Sequence, residues 1–133
     1  MLVLDANVAI TACTVLDGLD EFGQEDLVAP PLLWSETRSV LHALVWRGVM
    51  DEGLARRTLA RLESGRIRQR THRQLSARAW SLADSFGWAK TYDAEYVALA
   101  MLSGCRLVTT DDRLRRATEK LGFVVSPSEV RRG

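Results

Sequence analysis

The chain opens "MLVLDANVAI" (residues 1–10), and its fold turns on why this apolar run is broken by an acid at Asp5 and resumes past Asn7. Leu2, Val3 and Leu4 read as a short buried strand, bounded too soon to be a long helix. A carboxylate at the end of such a strand is costly unless it sits at the rim of a sheet, in contact with water or a cation. Further strands to build that sheet follow along the chain. Leu27–Ala29 reads as a second strand, closed by Pro30 and Pro31, which cannot extend a ladder but can begin a helix. Arg66–Arg70 reads as a weak third strand, "RLVTT" (106–110) as a fourth and "FVVS" (123–126) as the last.

Helical patterns fill the intervals. A helix over about Leu32–Arg47 would place Leu33, Val40, Leu41, Leu44 and Val45 on one stripe, with Gly48 as its stop. Asp51 caps another to about Glu63. "LSARAWSLADSFGW" (75–88) is amphipathic, "AEYVALAMLSG" (94–104) ends at a glycine, and "DDRLRRATEKLG" (111–122) is a capped helix. Strands alternating with helices imply βαβ units and a mainly parallel sheet covered on both faces. The expected class is α/β, with about five strands.

At 133 residues, without repeats, low-complexity tracts or Pro/Gly-rich linkers, the chain is expected to form a single domain over residues 1–133. The 47% hydrophobic and 26% charged composition is that of an ordinary soluble protein. No apolar stretch approaches the ~20 residues that span a bilayer, and no basic leader precedes the first strand, so a cytoplasmic protein without a membrane partner is expected. Cys13 and Cys105 lie far apart among apolar neighbours and read as buried free thiols. His42 and His72 have no partner at ligand spacing.

The net charge of +1 conceals an uneven distribution. Arg56–Arg78 holds eight arginines against the single acid Glu63, while Asp17–Asp26 holds five acids and no base. A basic stretch of that kind either attracts phosphate backbones or forms a solvated helix face.

In open α/β sheets ligands bind outside the carboxyl ends of the strands, where strand order reverses. Asp5 ends the first strand and Asp111 follows the fourth. An order of 3-2-1-4-5 would make those strands neighbours. Glu36 lies about one turn into the helix after Pro31, and Asp93 begins the helix feeding the fourth strand. Each alone has a plain structural explanation: Asp93, Asp111 or Asp112 as a helix cap, Glu36 as the partner of an arginine. Together they ask for more, because carboxylates about 5 Å apart repel by roughly 3 kcal/mol per pair at an effective dielectric near 20. Oxygen ligands without Cys or His favour Mg²⁺ or Mn²⁺ over zinc, and the matching chemistry is phosphodiester hydrolysis.

These blocks resemble the PIN-domain family, specifically the VapC-like toxin ribonucleases of VapBC-type toxin–antitoxin modules. The likeness runs nearly end to end and is carried by "VLDANV" with Asp5, "PPLLWSE" with Glu36, "YDAEYVALA" with Asp93 and "LVTTDDRL" with Asp111. It implies a Rossmann-like sheet of order 3-2-1-4-5. It also implies an acidic quartet of Asp5, Glu36, Asp93 and Asp111, catalytic and metal-holding, with one or two Mg²⁺ or Mn²⁺ ions. Asn7 and Thr109 match polar positions that support such a site. The implied activity is metal-dependent endoribonuclease cleavage of single-stranded RNA by the toxin of a type II module. The implied partners are a second copy of the chain, forming a homodimer, and a cognate VapB-like antitoxin whose tail lies in a groove beside the first helices, walled by Val8–Leu16 and Leu32–Val45.

Two positions depart from the pattern. Ser39 stands where many relatives carry Asn, and the doublet Asp111–Asp112 offers two candidates for the fourth acid. Asp111 is favoured, because it sits at the strand end while Asp112 would point away. Glu95 is expected on another side of its helix, the arginine-rich surface against the RNA backbone, and Trp34 and Trp46 in the core. A phospho-acceptor receiver domain fits poorly, since "IRQRT" offers no acceptor Asp and "FVVSPSEV" no lysine. A degenerate PIN fold that serves mainly as a binding module is the alternative to a nuclease.

Overall fold

The computed structural model describes residues 1–132; Gly133, the end of the expected domain, lies outside the described residues. Five short strands form one parallel sheet: β1 (Leu2–Leu4), β2 (Leu27–Ala29), β3 (Ile67–Gln69), β4 (Arg106–Val108) and β5 (Val124–Val125), in the order β3-β2-β1-β4-β5. The expected class and order both hold. β1 is central, pairing Leu2 and Val3 with Leu27 and Val28 on one side, and Leu2 to Leu4 with Arg106 to Val108 on the other. All three β1 residues are buried, as a strand covered on both faces requires.

Helices α1 (Ala6–Cys13), α2 (Leu32–Trp46), α3 (Glu52–Leu62), α4 (Leu75–Phe86), α5 (Tyr92–Ser103), α6 (Asp112–Ala117) and α7 (Pro127–Arg132) make up the crossovers and the C-terminal segment. Asp5 caps α1 by accepting from the Val8 amide, and Asp51 caps α3 from the Leu54 amide. The middle of α5 is fully enclosed: Ala94 and Tyr96 to Ala100 are all buried, and it packs on β1, β4 and α4. A helix apolar on nearly every side belongs in the interior, and this one carries Asp93 at its solvent end. Cys13 is buried and Cys105 partly so, as expected of free thiols; burial pushes the Cys13 thiol up to about 11.

Several boundaries differ from the sequence expectations. β3, β4 and β5 are each shorter than the runs that predict them. A 3₁₀ turn, Gly18–Phe22, occupies the acidic run. Helix α7 was not foreseen, although "SPSE" is a capping box: the Glu129 carboxylate accepts from the Ser126 amide, and the Glu129 amide donates to Ser126 Oγ. Trp34 is half-buried against the core, but Trp46, expected inside, is 84% exposed at the end of α2. Its position lies past the last fully buried residue of that helix, Leu41, at the edge of a shallow cavity between α2 and α3 that Val45, Ala55 and Leu59 also line.

Part of the arginine-rich run is tied into the fold, while Arg56, Arg57, Arg68, Arg70 and Arg73 remain exposed. Arg61 donates to the Cys13 carbonyl, Arg66 to the carbonyls of Gly23 and Glu25, and Arg70 to Ser103 Oγ. Arg68 pairs with Asp26 of the acidic run, so the two oppositely charged stretches meet each other. No helix among the described residues is long and apolar enough to cross a membrane.

The turn after α1 leaves no room at Gly18, where an added Cβ would stand 1.7 Å from the Ala12 carbonyl oxygen. Gly18→Ala is expected to cost about 1–3 kcal/mol or more through forced backbone displacement, read by urea unfolding; an unchanged midpoint would refute that packing.

Candidate active site

Strand register builds the site. Because Leu4 pairs with Val108, the next residues, Asp5 and Thr109, face each other where β1 and β4 end. The Asp5 amide donates to the Val108 carbonyl, and Thr109 Oγ1 donates to Asp5 Oδ2 at 2.5 Å. Asp5 Oδ1 accepts from the Val8 amide at 3.0 Å. Asp5 is thus 8% exposed with a bond on each oxygen, and Thr109 is fully buried. Thr109 Oγ1 also accepts from the Asp111 amide at 3.0 Å, so one hydroxyl locks the first and last acids in place.

Asp111 is the N-cap of α6, its Oδ1 accepting from the amides of Arg113 and Leu114 at 2.9 and 3.2 Å. Both bonds fall on one oxygen, and the other is left for a ligand. Asp112 is turned to Arg115, with which it forms an ion pair. Glu36, half-buried on α2, accepts from the Tyr96 hydroxyl at 2.6 Å; its partner is a phenol and not the arginine that the plain structural reading supplies. Asp93 is the second residue of α5, two places past the N-cap position that Thr91 holds, and its side chain is exposed. It lines a cleft with Asp111, Trp88, Arg113 and Leu114.

The four acids feel one another. Burial pushes the Asp5 carboxyl up to about 6 against the pull of its bonds to Thr109 and Val8, and the charges of Asp93 and Glu36 push the same way as burial. Asp93 is also raised, first by burial, then by Asp111, with Arg113 opposing. Glu36, Asp5, Asp93 and Asp111 therefore form a continuous chain of repelling carboxylates at one end of the sheet.

Two members escaped the sequence reading. Glu95, expected on another side of its helix, is raised by burial and then by Glu36, so it stands in the field of the same acids. Tyr96 is buried against Glu36, with Asp5 and Glu95 also acting on it; burial and these charges hold its hydroxyl protonated, a donor at any physiological pH. The double tyrosine spacing in "YDAEYVALA" carried that signal, since the second falls on the turn facing α2. Asn7 stays exposed, and Ser39 lies beside His42 and Trp46 on the outer side of α2, away from the acids.

Among the described residues no three carboxylate, thiol or imidazole groups close into a metal cage. The donor set nonetheless fits Mg²⁺ or Mn²⁺: oxygens only, mutually repelling, and open to water, as suits an ion that keeps several waters and takes one or two carboxylates directly.

A parallel sheet of order 3-2-1-4-5 with acids gathered at the carboxyl ends of its two central strands defines a Rossmann-like domain with a polar site at its switch point. A family model of the PIN domain matches residues 2–120, and the chain belongs to that family, whose members are generally nucleases. Among solved structures, PAE2754 from Pyrobaculum aerophilum is 24% identical and aligns over 98% of this chain and 91% of its own, with a TM-score of 0.77. A toxin–antitoxin complex from Klebsiella pneumoniae is 18% identical over 96% of this chain and 98% of the matched one, with a TM-score of 0.66. No curated protein matches the sequence.

The raised Asp5 has a consequence for stability. Its folded-state affinity for a proton exceeds that of the unfolded chain, so ionised Asp5 subtracts from stability; the loss is absent below about pH 4 and complete above about pH 6. The upper bound is about 3 kcal/mol, and Asn cannot keep both hydrogen bonds, so Asp5→Asn should stabilise the metal-free protein by about 1–2 kcal/mol near neutral pH and not at all near pH 4. Urea unfolding in EDTA at both pH values checks this, and a variant weakened at neutral pH contradicts it.

Proposed function

We propose that the chain is a VapC-like endoribonuclease, the toxin of a type II toxin–antitoxin module, acting in the cytoplasm on RNA phosphodiester bonds. The observation that carries the reading is Asp5: a buried, proton-hungry carboxylate at the switch point of a PIN domain, in the field of Glu36 and Asp93. Nothing in packing or capping calls for that many acids at one strand end.

In this reading Asp5, Glu36, Asp93 and Asp111 hold one or two Mg²⁺ or Mn²⁺ ions, directly or through water. The bound metal supplies a nucleophilic water and neutralises charge on the cleaved phosphate. Thr109 fixes Asp5 and Asp111 relative to each other. Tyr96, unable to ionise, holds one oxygen of Glu36 and leaves the other to take a proton from the attacking water. Arg113 opposes the negative field beside Asp93 and Asp111 and gives an incoming phosphate a positive contact. The shared fold with a toxin–antitoxin complex supports a cognate VapB-like antitoxin as partner and, with the family, a homodimer as the working state.

A second reading, a PIN fold kept as a binding module, is favoured by one observation: Asp5 and Asp111 are both helix caps, and no ready-made metal cage is present among the described residues.

Incubation with structured RNAs separates the two. The nuclease reading expects cleavage with Mg²⁺ or Mn²⁺ that EDTA abolishes and that Asp5→Asn or Asp93→Asn lowers on the order of 10³-fold, the several kcal/mol a metal site supplies. Equal cleavage by wild type and Asp5→Asn would expose a contaminating nuclease and sink the assignment. Tight partner binding in EDTA with no cleavage would favour the module. Tyr96→Phe should lower activity by about 10- to 100-fold while leaving the fold intact, since it removes a partner of a ligand and not the ligand; unchanged activity would remove Tyr96 from the site.

A further inference from the structure

Trp88 lies on the short connection between α4 and α5 and is not explained by packing alone. Gly87, at φ +70°, ends α4 in the left-handed conformation, and the Trp88 amide returns to the Ala83 carbonyl at 2.8 Å, which turns the indole back over the helix end. There Trp88 stacks on Phe86, with ring centroids 4.9 Å apart and planes 20° from parallel. Phe86 thereby fixes the plane of the indole. The ring is only half-buried and forms one wall of the cleft whose other walls include Asp93, Asp111 and Arg113. Arg113 is exposed, and its charge acts on Asp93. A fixed aromatic surface, an exposed guanidinium and two of the proposed catalytic acids thus share one opening.

Resting on the nuclease reading above, we infer that this cleft is a nucleobase subsite: Trp88 stacks one base of a single-stranded nucleic acid, and Arg113 holds the adjoining phosphate beside Asp93 and Asp111. The chemistry selects the ligand. A base has an apolar face for the indole and a phosphate one bond-chain away for the guanidinium, and only an unpaired strand can splay a base out to be stacked. A duplex buries those faces in its own stack. An acidic peptide would be repelled by the two aspartates, and an apolar ligand would leave Arg113 unused. Preorganisation by Phe86 matters because a ring already held in plane loses little freedom on stacking. The subsite sets where along a strand the acids act, through the distance between one stacked base and the next phosphate.

The test measures binding apart from cleavage. Full-length protein with Ca²⁺ in place of a catalytic ion is titrated with labelled single-stranded RNA oligomers, with the same strands carrying abasic positions, and with the matching duplex. Stacking on an aromatic is worth roughly 5- to 150-fold in affinity per base, so Trp88→Leu should weaken binding of the intact strand by that factor, while Trp88→Phe keeps most of it. Abasic substitution should weaken the wild type similarly and leave Trp88→Leu unaffected. Arg113→Gln should lower the salt dependence of binding by about one counterion, and Trp88→Leu should not. Indole fluorescence should be quenched by the intact strand and lose that quenching in Trp88→Leu.

Three results would overturn the subsite: unchanged affinity in Trp88→Leu, equal losses for intact and abasic strands in that variant, or a preference for the duplex. Trp88→Phe guards against misfolding, because a purely structural ring would show its effect equally on every strand. Cleavage by the wild type without any Trp88 effect would remove the subsite and leave the nuclease. Base-dependent binding without cleavage would keep the subsite and remove the nuclease. Failure of the wild type to bind any strand would remove both.

Discussion

The pairing of β1 with β4 is the constraint on which the site depends. It is made by backbone alone, Leu4 against Val108, and it delivers Asp5 opposite Thr109 with no help from any acid. Three consecutive buried apolar residues on β1, against Leu107 and Val108 on β4, set this register, and a slip by one residue would turn Asp5 to the other face of the sheet. The hydrophobic core therefore supplies the energy that holds a charge where electrostatics alone would expel it. Burial of an unneutralised carboxylate is then a standing cost, partly offset by hydrogen bonds from Thr109 and Val8, and lowered further by any proton or cation that arrives.

Thr109 shows how little machinery this takes. Its hydroxyl donates to Asp5 and accepts from the Asp111 amide, so two acids from distant parts of the chain share one buried oxygen. An apolar residue of similar size would leave the strand intact and unfix both carboxylates. Tyr96 works in the same way across the gap between α5 and α2, and its position in the buried middle of α5 makes Glu36 dependent on core packing. The acids are not decorations on a finished surface; each is tied through one neutral hydroxyl or a helix amide to an element that the core fixes.

The class was legible because short apolar runs alternate with helical stripes; the strand order came from the resemblance to the PIN family, and it is what brings the acids at two strand ends together. Positions on long helices were harder to read. Glu95 is two residues from Asp93, and residue-to-residue rotation along a helix suggests a different side; the two carboxyls do answer to different acids, Asp93 to Asp111 and Glu95 to Glu36, so the first turn of α5 borders the acidic field on two sides. The arginine run was ambiguous for a related reason. Charge density in sequence gives no sign of whether a guanidinium meets solvent or a carbonyl, and here Arg61, Arg66 and Arg70 close gaps between elements. Trp46 was misplaced because an amphipathic stripe says which face is apolar and not how far along the helix its cover extends. Only tertiary contacts hold that information.

The acids also differ in how far they can adjust, and the difference follows from their tethers. Asp5 is bonded at both oxygens and sealed from water, so it can change its charge but scarcely its place. Asp111 is held through one oxygen, Glu36 through one as well, and Asp93 stands in the open at the start of α5. A site graded in this way can keep its geometry without a cation and still close around one, because the group that is most expensive to leave ionised is the one least able to move away. Mutual repulsion is then not dissipated by side chains swinging apart. It stays stored at the end of the sheet, where a doubly charged ion that keeps several of its waters relieves more of it than a single proton on Asp5 can.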